Sequence, residues 1–174
     1  MMKPKVKEVA GDYSMSGTRR MQAPGNLRSG FKTTGSRSSL LNDLEMEKSV
    51  DRQNRENLPK AAVCLVRNGG KILAVSRGDD ISDLNMPGGT VEPGEDSIDA
   101  AVRELWEETG IKAKEIYPVY SRVNNGWLVT TYVVPAYTGK LMRSFEGVPE
   151  WTDEETLKAG SYGKYFSDML ESLM

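Results

Sequence analysis

Apolar residues are spread unevenly along the chain. They are sparse before about residue 58. From there on they fall into short blocks separated by glycine and asparagine turns. Lys60 to Val66 is a buried-strand run, Asn68-Gly69-Gly70 a hairpin turn, and Lys71 to Ser76 the returning strand, with Arg77 at its end. Gly78 to Asn85 reads as a polar loop, and Pro87-Gly88-Gly89 as a turn whose glycines supply positive φ. A helix is expected from about Ser97, where Ile98, Ala101, Val102 and Leu105 recur at i, i+3, i+4 and i+7 as one core-facing stripe. Glu95 and Asp96 stand where its positive N-terminus favours anions, and Thr109-Gly110 closes it. Lys114 to Val123 and Trp127 to Tyr137 read as strands joined at Asn124-Asn125-Gly126. A short strand follows at Trp151-Thr152, then a helix capped by Thr152 or Asp153. A terminal helix from Tyr162 to Leu173 turns Tyr165, Phe166, Met169, Leu170 and Leu173 to the core.

The chemistry sits on the first helix. Glu104, Glu107 and Glu108 fall at i, i+3 and i+4, on a stripe beside the apolar one. Like charges at that spacing are destabilising unless something compensates for them. A solvated acidic face is one reading. A hard divalent cation is the other, since Mg²⁺ takes oxygen ligands and keeps part of its shell for water and substrate phosphates. Arg103 could orient one carboxylate through a bidentate bond.

The segment Gly89 to Ile111, GTVEPGEDSIDAAVRELWEETGI, matches the Nudix box at each of its fixed positions: Gly89, Glu95, Arg103, Glu104, Leu105, Glu107, Glu108, Gly110 and Ile111. It resembles the Nudix hydrolases, MutT-like members included, over residues 59–174. That resemblance implies an α+β fold, a mixed β-sheet sandwiched between helices, with an extended N-terminal arm outside it. It also implies hydrolysis of nucleoside diphosphates linked to another moiety, dependent on Mg²⁺, for which Mn²⁺ could substitute. Glu104, Glu107 and Glu108 would hold metal together with the Gly89 carbonyl, and Arg103 and Glu95 would support them. Glu146-Gly147-Val148-Pro149-Glu150-Trp151 resembles a loop in which a glutamate completes the metal site or helps activate water. Glu146 is the match and Glu150 the alternative. Glu104 or Glu146 would accept the water proton, and Arg77 would contact phosphate. Tyr120, Trp127, Tyr132 and Tyr162 could stack on a base or belong to the core. Short loops after the box favour a compact substrate such as a nucleoside triphosphate.

Composition narrows the alternatives. The chain has 174 residues, no histidine and one cysteine. Histidine bases and ligands are therefore excluded, and Cys64, inside an apolar run, reads as a buried structural thiol. The net charge of −2 argues against nucleic acid as a partner of the whole chain. The basic start lacks an apolar signal region, and no run approaches a membrane span, so a cytoplasmic protein is expected. Residues 1–58 carry eleven basic and seven acidic side chains, against twelve and eighteen in 59–174. Their low apolar content predicts an arm that is disordered when alone, with a short amphipathic helix at 39–57 displaying Leu40, Leu41 and Leu44. The arm could tether the chain in a homo-oligomer or a larger complex. A second reading makes the whole protein an assembly component, with the domain as scaffold.

Overall fold

A computed structural model describes residues 7–8 and 37–174, with the side chains of residue 46 and of 48–174. The expectation that the arm, residues 1–58, is disordered when alone falls largely on residues 1–6 and 9–36, which lie outside the described residues, as do the side chains of Leu40, Leu41 and Leu44. The helix α1 spans Arg37–Glu56, and its Met46 and Val50 are exposed. Before it, the two-residue strand β1, Lys7–Glu8, lies antiparallel to the edge of the larger sheet.

That sheet has the order β1-β7-β8-β2-β6. β2 (Lys60–Leu65) runs parallel to β8 (Trp127–Gly139) and antiparallel to β6 (Gly88–Thr90). β7 (Ile111–Asn124) and β8 form a long hairpin through Asn125 and Gly126, both at positive φ. The second sheet joins β3 (Arg67–Asn68), β4 (Lys71–Arg77), β5 (Asp80–Asn85) and β9 (Pro149–Thr152), all antiparallel.

The period-two alternation of β2 divides the core. Ala62 and Cys64 face α2 (Ser97–Thr109), where they meet Ala101, Val102 and Leu105. Leu65 faces the other way, toward Leu157 of α3 (Glu154–Ala159) and Phe166 and Met169 of α4 (Gly163–Leu173). The mixed sheet is therefore covered by helices on both sides. Cys64 is buried and donates its thiol to the Ala101 carbonyl at 3.3 Å, and burial pushes its pKa up. Among the described residues, no helix is long and apolar enough to cross a membrane.

Two segments differ from the sequence reading. The polar stretch 78–85 is largely strand: β5 pairs with β4 at a sheet edge and buries only Leu84, so its outward positions stay polar. Gly88 and Gly89 lie in β6. Gly88 does take a positive φ of 155°, but both glycines are also required by lack of room. A Cβ on Gly88 would stand 2.2 Å from the Ala62 carbonyl oxygen, and one on Gly89 2.5 Å from the Glu104 carboxylate. At the far end of the chain, Leu173 is exposed, so the core face of α4 ends at Leu170.

Leu105 is wholly buried at the centre of the α2 stripe. Leu105→Ala is expected to lower stability by about 2–5 kcal/mol in urea denaturation. A loss well under about 1 kcal/mol would contradict this packing of α2.

Candidate metal and hydrolytic site

α2 begins after the turn at Pro93-Gly94 and ends at Gly110, which caps it in the left-handed conformation at φ 77°. Its apolar stripe is fixed against β2, so the adjacent acidic stripe is turned toward β6 and the loop before β9. Arg103 organises it. Its Nε and Nη2 donate to the two Glu95 oxygens at 2.9 and 3.0 Å, and Nη2 also donates to the Thr90 carbonyl at 3.0 Å. Nη1 donates to Glu104 Oε1 at 2.7 Å and to Glu107 Oε2 at 3.3 Å. Hydrogen bonding to Glu95 above all holds the guanidinium firmly protonated. For Glu95, burial is the largest influence and would raise the pKa, but the Arg103 bonds, the Glu92 N–H at 3.0 Å and the Arg103 charge together leave the carboxyl below its ordinary range.

Glu108 lies deeper. It accepts the Gly88 backbone N–H at 2.8 Å. Burial, then the neighbouring Glu104 charge, pushes it well above the usual carboxylate range. Glu104 is raised by burial against the opposing pull of Arg103. Glu146 is raised by burial and by the Glu107 charge. Glu104, Glu108 and Glu146 each present one oxygen, and these atoms lie within 4.8 Å of one another. Such a group is costly without a counter-ion. Glu107 stands outside the trio, paired with Arg103, yet its Oε1 is buried with no hydrogen-bond partner. An unsatisfied anionic oxygen beside three crowded carboxylates is the donor set of a hard divalent cation, and the residues fit one.

The loop carrying Glu146 is pinned to β4. Gly78 N donates to the Glu146 carbonyl at 3.1 Å, Ser76 N to the Val148 carbonyl at 3.1 Å, and Val148 N to Ser76 Oγ at 2.9 Å. A Cβ on Gly147 would lie 2.1 Å from the Ser76 carbonyl oxygen, so only glycine permits this approach. Glu150 instead projects from β9 and is exposed.

Arg77 lies beside this loop, one residue from Gly78, with its guanidinium 5.1 Å from the centre of the Tyr162 ring. Of the four aromatic candidates, Tyr132 is buried, Tyr120 packs edge-on against Tyr165, and Trp127 packs against the Ala61, Val129 and Tyr165 cluster. Tyr162 alone of the four stands with Arg77. The sequence reading missed how Tyr162 is held: its N–H donates to Asn85 Oδ1 at 3.2 Å, and the neighbouring Ser161 N–H donates to Asp83 Oδ1 at 2.7 Å. Asp83 and Asn85 lie in the stretch read as loop, where nothing in the pattern marks them.

The family model for the NUDIX domain matches residues 57–166. Among curated proteins, the chain is similar to Nudix hydrolase 25 of Arabidopsis thaliana, 39% identical over 93 residues that cover 53% of this chain and 49% of that protein. It is likewise similar to an RNA pyrophosphohydrolase of Cereibacter sphaeroides, 38% identical over 72 residues, 41% of this chain and 44% of that one. It thus spans about half the length of the curated relatives it matches. Among solved structures, a MutT protein from Bacillus halodurans shares the fold with a TM-score of 0.55 and 22% identity, covering 65% of this chain and 80% of that one.

The raised carboxylates make a signed prediction. An acid whose folded pKa lies above its unfolded value binds more protons when folded, so its stabilisation is present at low pH and is lost as pH rises through the folded pKa. Glu104, Glu108 and Glu146 all have this sign, while Glu95 has the opposite one and stabilises above its unfolded value. In EDTA, Glu108→Gln is expected to melt above the wild type at about pH 8 and to lose that advantage toward about pH 5. Mg²⁺ should raise the wild-type melting temperature more at the higher pH. Parallel melting curves for the two proteins across this range would contradict the assignment.

Proposed function

Because this chain belongs to the Nudix family, we propose that it is a hydrolase that cleaves a phosphoanhydride bond in a nucleoside di- or triphosphate derivative with the help of Mg²⁺. The observation that supports this reading most is the trio of Glu104, Glu108 and Glu146, raised in pKa, with oxygens within 4.8 Å of one another, beside which Glu107 keeps a buried oxygen without a hydrogen-bond partner. Glu104 and Glu108 would hold the divalent ion with the Gly89 carbonyl and Glu107, and Mn²⁺ is the natural substitute. When bound, such an ion neutralises phosphate charge and lowers the pKa of a coordinated water.

The protein's own groups do the rest. Arg103 and Glu95 fix the carboxylates by charge-assisted hydrogen bonds, so that little reorganisation is needed on binding. Glu146 receives the proton of the attacking water. Burial has moved its carboxyl upward, toward the range of an effective base, and Arg103 is occupied by Glu95, Glu104 and Glu107. One oxygen of Glu146 belongs to the trio, which leaves the other for the proton. Glu104 is the weaker choice as base, because its Oε1 already accepts from Arg103. Arg77, steadied by the Tyr162 ring, contacts a substrate phosphate.

Nucleoside triphosphates are the substrates that the short loops favour. The name of the Cereibacter relative adds a 5′-triphosphorylated oligonucleotide to those worth testing. The scaffold alternative draws no support from the relatives quoted, and a scaffold has no physical need for aligned glutamates. Glu107→Gln or Glu108→Gln is expected to abolish Mg²⁺-dependent turnover while the fold survives, because the apolar stripe is untouched. On a nucleotide panel the wild type should release phosphate or pyrophosphate from anhydrides and leave phosphate monoesters intact. Cleavage of monoesters alone, or full activity in either variant, would contradict the reading.

Residues 1–58 are proposed to serve assembly, through a partner or a second copy. The exposed Met46 and Val50 of α1 favour this, while β1 pairs with β7 of the same chain and so occupies that sheet edge. Deleting residues 1–58 should leave turnover per site nearly unchanged and shift the mass seen by light scattering or remove a bound partner. Lost catalysis in a folded domain would instead place the arm in the active site.

A further inference from the structure

Phe145 immediately precedes Glu146, and its side chain is fully exposed. A scattered exposed apolar residue needs no explanation. This one differs in where it stands and how it is held. Adjacent Cα atoms are about 3.8 Å apart, so the ring springs from the chain one residue away from a carboxylate of the proposed metal trio. The turn around it is fastened on both sides. Glu146 N donates to Ser144 Oγ at 3.1 Å and Ser144 N to the Gly147 carbonyl at 3.1 Å. Gly78 N donates to the Glu146 carbonyl, and Gly147 sits too close to β4 to be any other residue. With Glu146 committed to the acidic cluster by this turn, Phe145 is presented to solvent on a fixed support. The same loop exposes Met142, and the β4–β5 hairpin fastened to it exposes Ile81.

A substrate whose phosphates lie at the carboxylates must place its nucleoside outside them, along the rim. A base offers a π-face to any exposed aromatic ring, and such stacking tolerates all bases. We propose that Phe145 is a stacking contact for the nucleobase of the substrate, a binding residue that selects nucleotides over bare polyphosphates. The proposal rests on the nucleotide reading of the site given above. Phe145 makes no claim on the proton transfer, which stays with Glu146.

The test uses the whole 174-residue chain with Mg²⁺ and a nucleoside triphosphate, and compares wild type, Phe145→Ala and Phe145→Trp. Inorganic tripolyphosphate serves as a competitor that has no base. Phe145→Ala should raise KM about tenfold with kcat held within about twofold, and Phe145→Trp should restore the wild-type KM. The inhibition constant of tripolyphosphate should be the same in all three. An unchanged KM in Phe145→Ala would overturn the stacking role. So would an equal weakening of nucleotide and tripolyphosphate, which marks a general disturbance of the loop. A wild type that cleaves no nucleotide would remove the underlying reading and this inference with it, a result distinguishable from the others because it needs no variant.

Discussion

A single guanidinium holds the acidic site in shape. Arg103 joins the loop before α2 through both oxygens of Glu95, the end of β6 through the Thr90 carbonyl, and its own helix through Glu104 and Glu107. These bonds tie three segments together, beside the Glu108 bond to the Gly88 N–H and the apolar packing of Val91 and Ile98 on the core. They set a positive charge behind a group of carboxylates that would repel one another strongly if left alone. The arrangement is incomplete by design of the charges: among the described residues one bonded cation, Arg103, stands against Glu95, Glu104, Glu107, Glu108 and Glu146. What Arg103 leaves uncompensated is concentrated at Glu104, Glu108 and Glu146, where burial raises each carboxyl pKa. A divalent ion held by these oxygens would relieve that crowding.

That arrangement depends on backbone fit as much as on charge. The apolar face of α2 is buried to the last atom at Ala101 and Leu105, so the helix cannot turn its acidic stripe elsewhere. β6 must then pass close beneath that stripe. Gly89 makes room for the Glu104 carboxylate, and Gly88 both passes over β2 and donates its N–H to Glu108. On the opposite wall, Gly147 lets the loop touch β4 and delivers Glu146. Three glycines, each without space for a Cβ, let three acids converge.

Much of this was legible in the chain. The i, i+3, i+4 stripe of Ile98, Ala101, Val102 and Leu105 located α2 and its inner face, and the spacing of Glu104, Glu107 and Glu108 located the acids relative to it. Gly110 marked the end of the helix. What pattern could not supply was the division of labour. Glu107 and Glu108 look alike in sequence, but one is tied to Arg103 and the other lies under Gly88. Polar edge strands escape a reading based on burial, which is why Asp80 to Asn85 looked like a loop and the support it gives to Tyr162 went unseen. Glycines at Gly88 and Gly89 read as turn residues because sequence cannot distinguish a need for positive φ from a need for space. Phe145 carries no periodicity at all, and its meaning comes only from its neighbour.

The central claim is that Arg103 and the fold hold Glu104, Glu108 and Glu146 ready for a divalent cation. Anomalous diffraction from crystals soaked in Mn²⁺ tests it most directly, since the signal locates the ion without reference to activity. The account predicts an anomalous peak bounded by oxygens of Glu104, Glu108 and Glu146, with the Arg103–Glu95 pair undisturbed beside it. A peak elsewhere, or no peak in this cluster at saturating Mn²⁺, would contradict it.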